Sequence, residues 1–105
     1  MAQVQTILAA LKRELTSLLG DRLDRIILYG SYARGQAQPG SDIDVLIVLR
    51  GDFDYGELIR LTSSAVSRLS LEHDVVISRA FVTPERYEQE QSPFLLNVRR
   101  EGVPV

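Results

Sequence analysis

Two carboxylates two residues apart, Asp42 and Asp44, open the apolar run "DIDVLIVL". On an extended chain, side chains at i and i+2 point to one face, with Cα atoms roughly 6.5 Å apart. Their oxygens can converge on one cation. Hard oxygen donors, completed by water and phosphate, suit Mg²⁺. A third carboxylate on a neighbouring strand would allow two ions about 3.5–4 Å apart, holding both the attacking and the leaving oxygen of a phosphoryl displacement. Asp74 is the candidate, because it too opens an apolar stretch, Val75-Val76-Ile77. Glu72 shares its face and competes for the role.

Upstream, the segment "YGSYARGQAQPGSDID" (residues 29–44) supplies the partners such a site needs. If Ser31 begins a short helical turn, its outward N–H groups form an anion site. Gly30 lets a phosphate approach the backbone, and the Ser31 hydroxyl can donate to it. Arg34 could neutralise phosphate charge through its planar fork. Ser41 could bind phosphate too, or only shape the turn before Asp42. No Gly-Lys-Ser/Thr follows, so this is not a Walker A loop, and no Gly-x-Gly marks a dinucleotide fingerprint. The plainer alternative is turn chemistry throughout, since Gly-Ser and Pro-Gly-Ser-Asp are good turn sequences. Asp44 resists that alternative. Leu46 and Val48 follow it on the same face, where a carboxylate without a counter-ion is costly.

The elements that must position these residues are legible in period. Val4, Ile7, Leu8, Leu11, Leu15, Leu18 and Leu19 recur at helical spacing before Gly20. Residues 25–29 read as a first strand, 36–40 as loop and 42–49 as a second strand. In that strand Asp42, Asp44, Leu46 and Val48 face one way, and Ile43, Val45, Ile47 and Leu49 the other. Tyr55 to Leu69 carries a second helical pattern with Asp54 as N-cap. Residues 73–78 are expected as a third strand, with His73 on the face opposite Asp74. Thr83-Pro84 and Ser92-Pro93 each start a short helix, the second ending at Gly102. Arg99 and Arg100 read as the basic end of that helix. The order predicts an α/β fold, a small mixed sheet of three to four strands with helices packed on it.

Length and composition fit one domain spanning 1–105, with 45% hydrophobic and 25% charged residues. The net charge of −2 gives no electrostatic case for direct nucleic-acid binding. The absence of cysteine removes disulfides and thiolate chemistry and fits a reducing, cytoplasmic setting. One histidine, His73, is too few for a histidine metal site. One lysine, Lys12, in a helical segment argues against covalent lysine–nucleotide chemistry. The N-terminal segment is broken by Lys12, Arg13 and Glu14, so neither a signal peptide nor a membrane span is expected.

Taken together, Gly30-Ser31, ten intervening residues and Asp42-Ile43-Asp44, with Ala33-Arg34-Gly35 and Ser41 between, resemble the polymerase-beta-type nucleotidyltransferase superfamily. The string "GSYARGQAQPGSDIDVLIVL" looks most like its minimal branch, the single-domain nucleotidyltransferases encoded beside a helical HEPN-domain partner. The likeness is strongest over residues 26–49 and runs more weakly through Asp74 to the C-terminal "FLLNVRREGVPV". It implies that Gly30 and Ser31 hold the triphosphate and that Asp42 and Asp44 hold Mg²⁺, two ions in all. It implies that Asp74 is the third carboxylate, ligating the second metal and helping to deprotonate the acceptor hydroxyl, and that Arg34 fills the family's basic position. The reaction implied is attack of an acceptor hydroxyl on the α-phosphorus of a nucleoside triphosphate, ATP in this branch, with pyrophosphate leaving.

Without an acceptor-binding domain, another molecule must present the hydroxyl. The resemblance implies a tyrosine of a HEPN toxin, silenced by adenylylation, so that the nucleotidyltransferase is an antitoxin. Two alternatives stay open: a non-catalytic module that masks the toxin, and transfer to a small molecule or RNA end. A homo- or hetero-oligomer is compatible with either.

Overall fold

The computed structural model describes residues 2–105. Helix α1 (Ala2–Leu19) buries Ile7, Leu8, Leu11, Leu15 and Leu19 at helical spacing and ends in a 3₁₀ turn, Gly20–Arg22. The chain continues through β1 (Leu23–Tyr29), β2 (Ile43–Leu49), α2 (Tyr55–His73), β3 (Ile77–Val82), α3 (Pro84–Gln89), α4 (Pro93–Glu101) and β4 (Val103–Pro104). The helix starts follow side-chain chemistry. Asp54, Thr83 and Ser92 accept from the amides of Glu57, Arg86 and Leu95, relieving donors that a first turn leaves unpaired.

The four strands form one mixed sheet in the order β3-β2-β1-β4. Strand β1 runs antiparallel to β2 and β4, while β2 and β3 are parallel, joined by the α2 crossover. The expected α/β architecture is therefore the observed one. Apolar side chains of both strand parities are covered. Ile26, Leu28, Ile43, Val45, Ile47, Leu49, Ile77 and Phe81 pack with α1 and α2. Ile27, Leu46, Val48 and Val82 pack with Leu95 and Val98 of α4. Only a strand apolar on both faces can sit centrally in such a sandwich, and β2 has that composition. Arg99 ties α4 to α3, donating to the carbonyls of Tyr87 (2.6 Å) and Glu90 (2.7 Å).

The third strand departs from expectation. It covers Ile77–Val82 rather than residues 73–78. Helix α2 runs on to His73, and Asp74 caps it in the left-handed region (φ 53°, ψ 51°). The amides of Asp74 and Val75 both donate to the Ser70 carbonyl, so these residues close a helix end. Pairing to β2 starts only at Val76, whose carbonyl accepts from Ile43. His73 thus belongs to α2, and the face assigned to it by strand period does not apply. The residue across from Asp44 is Ser78.

Candidate active site

The candidate site lies where the C-terminal end of β1 meets the N-terminal ends of β2 and β3. Registers place Tyr29, Asp44 and Ser78 in a row across those strands. Asp44 is partly buried, on the face of Leu46 and Val48, as strand period requires. Asp42 stands one residue before β2 and is exposed. Burial pushes the Asp44 carboxyl above the usual carboxylate range, and the charge of Asp42 adds to the rise, while Arg34 opposes it. Asp44 and Asp42 offer hard oxygen donors whose charge a divalent cation would offset, and Mg²⁺ fits such donors.

Gly30 makes the fit possible. Its φ is +77°, and a Cβ there would run into the Asp44 carboxylate. The chain then makes one helical turn, Ser31–Gly35. The Arg34 amide donates to the Gly30 carbonyl (3.1 Å) and the Gln36 amide to that of Ser31 (2.9 Å). Among the described residues, the amides of Ser31, Tyr32 and Ala33 donate to no protein acceptor. The turn therefore presents free N–H groups next to the acidic pair.

Arg34 is already engaged. Its Nε donates to Gln36 Oε1 (3.1 Å), and its Nη1 donates to both carboxylate oxygens of Glu101 (3.2 and 3.1 Å). Glu101 Oε1 also accepts from the Gly30 amide (3.3 Å). Hydrogen bonding from Arg34 holds the Glu101 carboxyl below its ordinary range, helped by the Gly30 N–H. Sequence reasoning missed Glu101. The signal available was the pair Glu101-Gly102 at a helix end, which reads as capping alone.

Tyr29 was also missed. Its ring packs edge-on against Phe94 at 5.4 Å. Burial pushes its hydroxyl up to about 12, with a further rise from the Asp44 charge and then from Tyr55. Ser41 builds the turn: its Oγ accepts from the Gln38 amide and its own amide donates to the Gln38 carbonyl, both at 2.9 Å.

Asp74 is not brought into a three-carboxylate cluster. No group of three or more His, Cys, Asp or Glu side chains able to hold a metal occurs among the described residues. Asp74 instead borders a shallow pocket of about 160 Å³ with Tyr32, Gly40, Ser41, Val75 and Val76. The physical reason is the longer α2, which takes the Asp74 backbone as its left-handed cap instead of leaving the residue on a strand beside β2. Glu72 is exposed on α2 and pairs with Arg68 at 3.5 Å. No helix is long and apolar enough to cross a membrane, within the described residues.

Comparison with known proteins bears on this geometry. Residues 8–99 match the model of the nucleotidyltransferase domain family. The chain is 36% identical over 104 residues to "Putative protein adenylyltransferase MJ0141" of Methanocaldococcus jannaschii, covering 98% of this chain and 99% of that one. It is 32% identical over 77 residues to the protein adenylyltransferase MntA of Thermococcus cleftensis, covering 73% and 76%. A toxin–antitoxin crystal structure with AMP-PNP has the same fold, with TM-score 0.59 and 19% identity over 90% of this chain and 68% of that one. A mutant of the MntA–HpeT toxin–antitoxin is similar to the same degree, with TM-score 0.58 and 22% identity over 90% and 70%.

Proposed function

The chain belongs to the nucleotidyltransferase domain family, and we propose that it is a Mg²⁺-dependent protein adenylyltransferase acting on a tyrosine hydroxyl of a HEPN-domain toxin, and so the toxin's antitoxin. The observation that carries this reading is the Asp44 carboxylate packed against Gly30, with Asp42 two residues before it and the next amides of the turn free. The names of its relatives, protein adenylyltransferases, and of the toxin–antitoxin structures that share its fold support a protein acceptor and a toxin partner. Residues 1–105 act in this reading as one catalytic domain, and ATP and Mg²⁺ are drawn from the cytoplasm.

Asp42 and Asp44 would hold Mg²⁺, which when bound neutralises phosphate charge and aligns the triphosphate. The amides of Ser31, Tyr32 and Ala33 and the Ser31 hydroxyl would bind phosphate oxygens, with Arg34 adding positive charge. Ser41 would act by holding the loop that leads into Asp42. The acceptor oxygen attacks the α-phosphorus, the bond from that phosphorus to the bridging oxygen of the β-phosphate breaks, and pyrophosphate departs with the electron pair. We assign Asp74, at the pocket rim, as the carboxylate that takes the hydroxyl proton. Catalysis here is positioning and electrostatics, with no covalent enzyme intermediate.

The test is to incubate the chain with a co-encoded helical partner, ATP and Mg²⁺ and to measure intact masses. The partner is expected to gain one nucleoside monophosphate, and Asp44→Ala is expected to abolish the gain. A partner that never gains mass, with Asp44→Ala neutralising it as well as wild type does, would overturn the enzymatic reading. That outcome would leave the second reading, a module that masks its partner.

A further inference from the structure

Glu101 lies at the end of α4, far along the chain from the nucleotide turn, yet it contacts that turn at two points. Its carboxylate receives the Gly30 amide and both Glu101 oxygens receive Arg34 Nη1. The Gly30 amide points to the β4 side of β1. Strand alternation requires this, because the Val105 amide meets the Ile26 carbonyl on that side and residues 26, 28 and 30 share it. Glu101 thus takes a donor that faces away from Asp44 and leaves free the amides of Ser31, Tyr32 and Ala33.

Gly102 brings the carboxylate there. A Cβ on Gly102 would stand 2.5 Å from both Ile27 Cγ2 and the Val98 carbonyl, so only glycine lets α4 end this close to β1. The Glu101 side chain is only 17% exposed, whereas Arg34 is 44% exposed. The acid is the fixed member of the pair and the arginine the one that is held. With Gln36 on Nε, Glu101 fixes the plane of the Arg34 fork, which stays near enough to Asp44 for its charge to act there.

We propose that Glu101 is a positioning residue for the nucleotide site, locking Arg34 and the Gly30 turn over Asp44 so that the triphosphate meets a preorganised cation. This role rests on the nucleotidyltransferase reading above. It follows that Glu101 acts through Arg34, and the two should be energetically coupled.

The test is a double-mutant cycle on Mg²⁺–ATP binding by calorimetry, with Glu101→Gln, Arg34→Ala and the double variant. Glu101→Gln is expected to weaken binding about tenfold, the scale of a charge-assisted pair, and to add nothing once Arg34 is alanine. Glutamine keeps an oxygen for the Gly30 amide. Melting temperature and Gly30 amide exchange are therefore expected to stay near wild type, a split that a purely structural role does not produce. In the wild-type chain itself, the Gly30 amide is expected to exchange more slowly than those of Ser31 and Tyr32. If wild type binds Mg²⁺–ATP and Glu101→Gln binds it equally well, more tightly, or with an effect that persists in the Arg34→Ala background, the role is wrong. If wild type binds no Mg²⁺–ATP, the nucleotide reading fails and takes this role with it.

Discussion

At the scale of single residues, the Asp44 carboxyl makes stability depend on pH. Its carboxyl holds a proton to higher pH in the folded chain than in the unfolded one. The folded state thus binds more protons in that window, and the group's contribution to stability falls as pH rises from the ordinary aspartate value through the raised one. Asp44→Asn removes that cost, so its melting temperature at neutral pH without Mg²⁺ is expected to exceed wild type. On the proposed reading, Mg²⁺ is expected to stabilise wild type by about 2.7 kcal/mol at a hundredfold excess over Kd, and the same variant is expected to lose that gain. Thermal melts with and without Mg²⁺ at several pH values check both signs. Asp74→Asn is expected to keep Mg²⁺–ATP binding while slowing transfer, as measured by calorimetry beside a mass assay.

At the scale of elements, the glycines that permit close approach carry the arrangement. Gly102→Ala forces α4 away from Ile27, with an expected loss of about 1–3 kcal/mol in urea unfolding and weaker Mg²⁺–ATP binding through Glu101. Elements were legible where local chemistry decides them. Helix starts at Asp54, Thr83 and Ser92 and the two faces of β2 follow from capping and from period two. Asp44 stood out because an acid inside an apolar strand, unlike one in the turn before it, is costly without a counter-ion. The third strand was misplaced because "HDVVIS" is apolar enough for either state, and whether α2 ends before or after His73 depends on a left-handed cap that Asp tolerates almost as well as Asn. Glu101 was hidden for another reason: its partners lie 67 and 71 residues away, and no local pattern announces a contact made by tertiary packing.

At the scale of the molecule, the site is held by a sheet clad on both faces, so the core and the chemistry share side chains. Leu46 is fully buried two residues on from Asp44, on its face. Leu46→Ala is expected to cost about 2–5 kcal/mol, a large part of a typical domain's 5–15 kcal/mol. Denaturant titration measures that cost. The left-handed Asp74 has a consequence of the opposite kind. It is the one described residue other than glycine with positive φ, a conformation in which glycine is less strained. Asp74→Gly should therefore make the protein more stable and, if the Asp74 carboxylate takes the acceptor proton as proposed, less active at once. A site where the sturdier residue is the poorer catalyst marks a trade between endurance and work, and that pairing separates a side chain kept for its chemistry from one kept for the fold.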